Sequence, residues 1–198
     1  MCRRPDVSFV YTVRSNFTRP DLDERWNAWY SGPKLAEMVT HPLFLSGQRY
    51  RAIGLDQSIR YLAVWVIESP EAFATPEYRS TWGFVEWTPH IADWSRNLYR
   101  GPEADVSDAL DVPADGVLYV AAFDGVAEAE AASRLALVQA ERPDVLWLPV
   151  AGLDRSCSAI GLLRLGAADA PKPLPPGLVA GIRETTYRPI TDRRRAPR

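Results

Sequence analysis

Short apolar runs with strand-like alternation recur along this chain, separated by stretches whose apolar residues fall at helical spacing. "VSFVYTV", Val7 to Val13, is rich in β-branched and aromatic residues and predicts a buried strand. "RPDLDERWNAWY" then opens a helix, with Pro20 suited to a first turn and Asp21, Asp23 and Glu24 suited to its positive end. Leu22, Trp26, Trp29 and Tyr30 form its apolar stripe. Ser31-Gly32-Pro33 interrupts that run, and a shorter helix is expected around Lys34 to Val39. Leu45 to Ile53 and Ile59 to Ser69 read as a hairpin, with Tyr61, Ala63, Trp65 and Ile67 on one face of the second strand and Leu62, Val64 and Val66 on the other. "PEAFATPEYRSTWGFVEW" suggests a second, interrupted helix, and Asp93 to Arg100 a closing strand.

That order, β-α-β-β-α-β, is the ferredoxin-like unit. Residues 101–114 look like a polar linker. A strand in "GVLYVAAFDG", an alanine-rich helix in "AEAEAASRLALVQAE", a hairpin in "DVLWLPVAGLDRSCSAIGLLRL" and a last strand in "GIRETTYRPI" follow. The proline-rich "ADAPKPLPPG" stands where a second helix would be. The chain thus predicts an α+β fold of two ferredoxin-like halves, residues 1–100 and a divergent copy at 115–190, with a disordered basic tail at 191–198. A four-stranded sheet with helices on one face must bury the other, and two such sheets can pack face to face as a barrel. The large face carrying Tyr61 and Trp65 is expected to line the lumen, with the small β-branched face under the helices.

Composition narrows the function. A net charge of −2 recruits neither nucleic acid nor an anionic membrane, and no apolar run approaches the roughly 20 residues of a spanning helix. The start of the chain lacks an apolar stretch of signal-peptide type, so a cytoplasmic location is the default expectation. Cys2 and Cys157 make neither a metal spacing nor a disulfide framework. The only lysines are Lys34 and Lys172, so a lysine here is less readily surface filler. Trp is abundant, with seven copies, five of them before residue 90. No glycine-rich phosphate cradle, serine-nucleophile elbow or metal box is present.

"FTRPDLDERWNAWY", "FLSGQRYRAI", "RYLAVWVIESPEAFATPEYRSTWGFVEW" and "WSRNLYR" together resemble the EthD-like branch of the dimeric α/β-barrel superfamily. The resemblance spans the first hundred residues; the second half resembles a divergent copy on topology alone. It implies a barrel made where two ferredoxin-like sheets meet, between chains or within one. It also implies one of several chemistries: cofactor-independent monooxygenases, polyketide cyclases, muconolactone isomerases or haem-dependent members. The family's first helix commonly runs Trp-Tyr, then a histidine, then a proline turn. Trp29-Tyr30 matches, but the family histidine aligns with Lys34, and His41-Pro42 falls where relatives have their proline turn.

Lys34 is the leading catalytic candidate: in the first turn of a restarted helix, the dipole and aromatic neighbours would depress its pKa toward that of a general base. A solvated lysine is the plain alternative. His41 and His90 are candidate acid–base partners, His90 with Glu86 four residues earlier, and Tyr50 a further catalytic candidate. Two imidazoles are too few for zinc, and haem, which needs one axial histidine, is the weakest reading. Arg49 is a candidate anion anchor, with Arg51 on the same strand face. Tyr11, Trp29, Tyr61, Trp65, Tyr78 and Trp82 are candidate pocket walls, although each taken singly is better explained by core packing. Glu37 and Asp93 are weaker acid–base candidates.

The expected function is a cofactor-independent enzyme acting on a small aromatic or phenolic molecule inside the barrel by proton transfer, as a lyase, isomerase or cyclase. A cofactor-independent monooxygenase uses the same residues. A non-catalytic ligand-binding barrel is the competing class. No metal and no cofactor are expected, and a homodimer of the chain is compatible with either reading.

Overall fold

The computed structural model describes residues 8–54, 58–178 and 180–197. Cys2 and the central part of the turn after Gly54 lie outside the described residues. The fold is α+β, built on an antiparallel barrel of eight strands with few helices. The strands are β1 Phe9–Phe17, β2 Phe44–Ala52, β3 Tyr61–Ile67, β4 Ile91–Arg100, β5 Val117–Asp124, β6 Leu146–Leu153, β7 Cys157–Leu165 and β8 Arg183–Pro189. They follow the order β2-β3-β1-β4-β6-β7-β5-β8, and β8 returns to β2 to close the cylinder. The two seams are short: Asn97, Leu98 and Tyr99 of β4 pair with Leu153, Gly152 and Val150, and Tyr50, Arg51 and Ala52 pair with Pro189, Arg188 and Tyr187.

Helices cover the outside of the sheet. α1 Asp23–Trp29, a π turn at Tyr30–Lys34 and α2 Leu35–Met38 form one nearly continuous helical run, and α3 Pro76–Thr81 lies between two 3-10 turns. α4 Glu128–Glu141 packs on β6 and β7 and buries Ala131 and Val138. Ser31-Gly32-Pro33 therefore does not stop and restart the helix. Pro33 has no N–H to give to the carbonyl four residues back, and the chain absorbs the defect by widening one turn, with the Leu35 amide reaching Tyr30 O. Lys34 consequently sits within the helical run, not in an electropositive first turn.

The two faces of the hairpin are the reverse of the sequence expectation. Leu62, Val64 and Val66 face the lumen, where they join Val10, Tyr99, Leu118, Val120, Ile160 and Leu162. Tyr61, Ala63, Trp65 and Ile67 pack beneath the helices with Tyr11, Trp26, Tyr30 and Phe44. Facing sheets approach to about 10 Å, a gap that medium branched side chains fill by interdigitation. Helices above a sheet leave deeper, less regular space that suits aromatic rings. Tyr50, on the lumen side of β2, donates to Gln48 Oε1 at 2.8 Å and is pushed up to about 12 by burial.

The segment read as a polar linker and the one read as a disordered tail both pack on the barrel. Within 101–114, Val106, Leu110 and Val112 are buried against the lumen core. Ser46 Oγ lies 2.7 Å from Ser107 Oγ, and Gln48 Nε2 donates to Val112 O at 2.7 Å. At the expected tail, buried Arg193 donates to Leu110 O at 2.8 Å, and a two-residue strand β9, Arg194–Arg195, pairs with Ser46-Gly47.

Candidate functional site

The lumen is filled by side chains, and the site lies outside it, between the helix-side face of the first sheet and the α1–α3 layer. Period-2 geometry sends Tyr11 and Val13 of β1, Trp65 of β3, and Trp94 and Arg96 of β4 to this one face. The helical side supplies Tyr30, Lys34 and Met38, and the α3 region supplies Tyr78 and the Trp82-Gly83-Phe84 turn. These residues line a narrow cleft with about 30 Å³ of free space. Gly83 takes a positive φ of 94°, which lets the chain turn sharply so that Trp82 and Phe84 flank the opening.

Lys34 is 5% exposed. Its Nζ donates to the main-chain carbonyl of Thr81 and lies 3.5 Å from Glu37 Oε2. Burial lowers its pKa from the ordinary lysine value, and Glu37 opposes that shift only in part. Thr81 also binds His41, whose Nε2 is 2.8 Å from Thr81 Oγ1. Because Thr81 Oγ1 donates to Glu77 O at 3.0 Å, it accepts from His41, which fixes the Nε2–H tautomer. Burial pushes His41 below the ordinary histidine value, so the ring is neutral near pH 7. The C-terminal residue of α3 thus brings Lys34 and His41 together, with only the lysine on the cleft wall.

The remaining polar groups of the cleft have one character. Trp65 Nε1 and Arg96 Nε are buried donors with no hydrogen-bond partner among the described residues. Tyr11 and Tyr78 place their hydroxyls 3.3 Å apart, and burial first, then Tyr78, raises Tyr11 well above the usual phenol range. The Arg96 guanidinium lies 4.9 Å and 5.0 Å from the Trp82 and Trp94 rings, and the two rings stack 6.3 Å apart at the mouth. Trp82 and Trp94 are exposed at 47% and 39%. Aromatic walls and buried, unpartnered N–H groups have the chemistry to receive a flat molecule that offers oxygen acceptors, once the exposed Trp82 and Trp94 at the mouth give way.

Of the residues singled out by sequence, Tyr11, Lys34, Trp65, Tyr78 and Trp82 meet at this cleft. Arg49 does not reach it. Its fully buried guanidinium donates to Ser31 Oγ at 2.7 Å and Asn27 Oδ1 at 3.1 Å, beneath α1 and the π turn. Tyr61 is tied to Asp23 at 2.6 Å, and half-buried Trp29 packs on Tyr30 and Trp87. Tyr50 lies across the sheet in the lumen. His90 is at the end of a 3-10 turn, its ring edge-on to Phe17, away from Lys34. Trp94 and Arg96 were missed, although their i, i+2 spacing in "DWSRNLYR" places them on one strand face with Leu98. Among the described residues no group of three His, Cys, Asp or Glu could hold a metal ion. The cleft does not fit a haem: no imidazole lines it, and His41 Nε2 is committed to Thr81.

No protein-family profile matches the chain, and no curated protein matches it in sequence. Solved structures do share its fold. An anthrone oxidase-like protein is 14% identical with a TM-score of 0.60, covering 98% of this chain and 94% of that one. A candidate monooxygenase from Fusobacterium nucleatum is 8% identical with a TM-score of 0.54, covering 96% of both chains. A candidate chlorite dismutase is 9% identical with a TM-score of 0.51, covering 93% and 95%. The fold is therefore that of the dimeric α/β barrels, here closed within one chain. No helix is long and apolar enough to cross a membrane among the described residues.

Proposed function

We propose that this protein binds a small, flat aromatic or phenolic molecule in the aromatic cleft and acts on it by proton transfer at Lys34 without a cofactor. The observation that carries the reading is a buried lysine, depressed by desolvation, on the wall of a cleft whose unpartnered polar atoms are donors. Once deprotonated, the Lys34 amine donates one N–H to Thr81 O and keeps its lone pair for a substrate O–H or an acidified C–H. The negative charge then develops on an oxygen that Trp65 Nε1 and Arg96 Nε can stabilise. Reprotonation elsewhere completes an isomerase, lyase or cyclase step.

The second reading is oxidation of the deprotonated compound by molecular oxygen. It is favoured by the neighbours described as anthrone oxidase-like and as monooxygenases, and it begins with the same proton transfer. Assignment to the EthD-like branch and division into ferredoxin-like halves at 1–100 and 115–190 belong to the same proposal. Strand orders β2-β3-β1-β4 and β6-β7-β5-β8 support the division.

The test is turnover of phenolic and anthrone-type compounds, with and without oxygen, by wild type and by Lys34→Met and Lys34→Ala. Loss of about 10²–10⁴-fold in turnover with binding retained is the expected result for a lost base. Turnover that survives both substitutions sinks the lysine mechanism, and wild-type binding without turnover leaves the chain a ligand-binding barrel.

A further inference from the structure

A second concavity shares no lining residue with the aromatic cleft. It opens where the β2–β3 hairpin meets β8, with about 630 Å³ of free space, and its charged walls are Arg51, Arg60 and Arg188. Phe17, Ile53 and Ile190 give it an apolar floor. No aspartate or glutamate lines it among the described residues.

The placement of the arginines is unusual. Arg51 and Arg188 are direct partners across the β2–β8 seam, in a register that puts like charges opposite each other. Opposed cross-strand side chains stand about 4.5–5.5 Å apart at Cβ, and like charges there are destabilising. Arg60 converges from the hairpin: its guanidinium lies 5.6 Å from the Tyr61 ring, and that of Arg51 lies 5.8 Å from the same ring. None of the three forms an ion pair among the described residues.

Two neighbouring carboxylates accept hydrogen bonds from other donors. Asp23 accepts from the Tyr61 hydroxyl at 2.6 Å and 2.8 Å and, with Glu24, lines an adjoining cleft that Arg51 and Ile190 also border. Asp93 accepts from Asn16 Nδ2 at 2.7 Å. The other end of the Asn16 amide, Oδ1, accepts from the Arg60 main-chain amide at 2.7 Å and fixes where the Arg60 side chain departs.

We infer that this three-arginine cleft is an anion-binding site for a small polyanion, of phosphate or polycarboxylate type, with an apolar portion seated on Phe17, Ile53 and Ile190. Guanidinium forks bind such oxygens in pairs, and an anion between Arg51 and Arg188 turns their repulsion into two charge-assisted contacts. The site is independent of Lys34 and of the proposed chemistry. It gives the barrel a second ligand, held at a strand seam on which closure depends.

Calorimetric titration of the full chain with inorganic pyrophosphate and, separately, with citrate tests it, at low and at 0.5 M salt. Arg188→Gln and Arg51→Gln are compared with Arg155→Gln, whose arginine sits in the exposed pair with Glu128. The site predicts saturable one-to-one binding, weakened by salt and about tenfold or more in each cleft variant, but unchanged in Arg155→Gln. Whichever of the two anions binds tighter names the headgroup. Thermal melting supplies a second readout: Arg188→Gln without anion melts at or above wild type, because repulsion is relieved, yet gains nothing from added anion. Absence of binding by both anions, equal binding in all four proteins, or binding only to a long polyanion such as heparin would overturn the inference.

Discussion

The guanidinium of Arg49 lies 4.0 Å from the centre of the Tyr30 ring, at the point where the first helix widens into its π turn. The same group sits 4.9 Å from Trp26 and donates to Ser31 and Asn27, so one buried cation reads both the aromatic face and the polar face of the defect. Burial lowers its pKa to about 10, and the acceptor oxygens of Ser31 and Asn27 and the ring faces stand in for the water it has lost. Arg49 therefore holds the turn that carries Lys34, and does not hold a ligand.

Shape matters more than charge at that position. Arg49→Lys keeps the cation but can neither stack flat on Tyr30 nor reach Ser31 and Asn27 together, and the expected loss is about 2–3 kcal/mol. Arg49→Met removes the buried charge along with its contacts and is expected to cost less, because Ser31 and Asn27 are half-exposed and can turn to water. Urea unfolding of the two variants checks the order, and a Met variant less stable than the Lys variant contradicts it.

The ionisation of Lys34 sets a pH dependence. Its folded pKa is depressed below the ordinary value of 10.5, so between the two values the unfolded chain binds more protons than the folded one. Folded stability from this group therefore rises with pH through that window and is lowest below it. Lys34→Met removes the dependence, so the wild type should gain on the variant as pH rises toward 10.5. With only two lysines in the sequence, NMR titration of ¹⁵N-lysine protein resolves the group directly, and a midpoint for Lys34 at or above 10.5 rules the depression out.

Trp65 owes its position to a glycine. Gly47 is its direct partner across β2 and β3, and a Cβ on Gly47 would come within 2.2 Å of the indole ring. Gly161 and Trp147 repeat the relationship between β7 and β6, with a contact of 2.4 Å. Gly47→Ala and Gly161→Ala are each expected to cost about 1–3 kcal/mol by overpacking. Only the first should weaken ligand binding in the aromatic cleft, because only Trp65 lines it. Equal effects of the two substitutions on binding would show that the cleft does not depend on the Trp65 position.

Most strands were legible because short β-branched and aromatic runs bounded by turn residues have few alternatives. Their facing was not. β3 is apolar on both sides, "YLAVWVI", so alternation gave no polar face to fix which side met the lumen, and residue size pointed the wrong way. Pro33 misled for a different reason: proline signals a helix start, yet a single wide turn accommodates it when Arg49 and the aromatic layer hold the flanks. Lys34 stood out by scarcity. Trp94 and Arg96 stayed hidden because an isolated closing strand does not show which of its faces meets the helices. The 101–114 segment and the chain end looked polar, but three apolar residues and Arg193 suffice to close one end of a cylinder already built.

The two seams, β4 with β6 and β2 with β8, join strands β1–β4 to strands β5–β8 inside a single polypeptide. A barrel assembled from separate chains loses its partner on dilution and must keep both surfaces identical. Here the local concentration of one half around the other is set by the connecting segment, so unfolding should not depend on protein concentration. Freedom from symmetry also lets the two sets of strands differ: β1–β4 and their helices carry the aromatic cleft, while β5–β8 carry the alanine-rich α4 and contribute Leu118, Ile160 and Leu162 to the lumen.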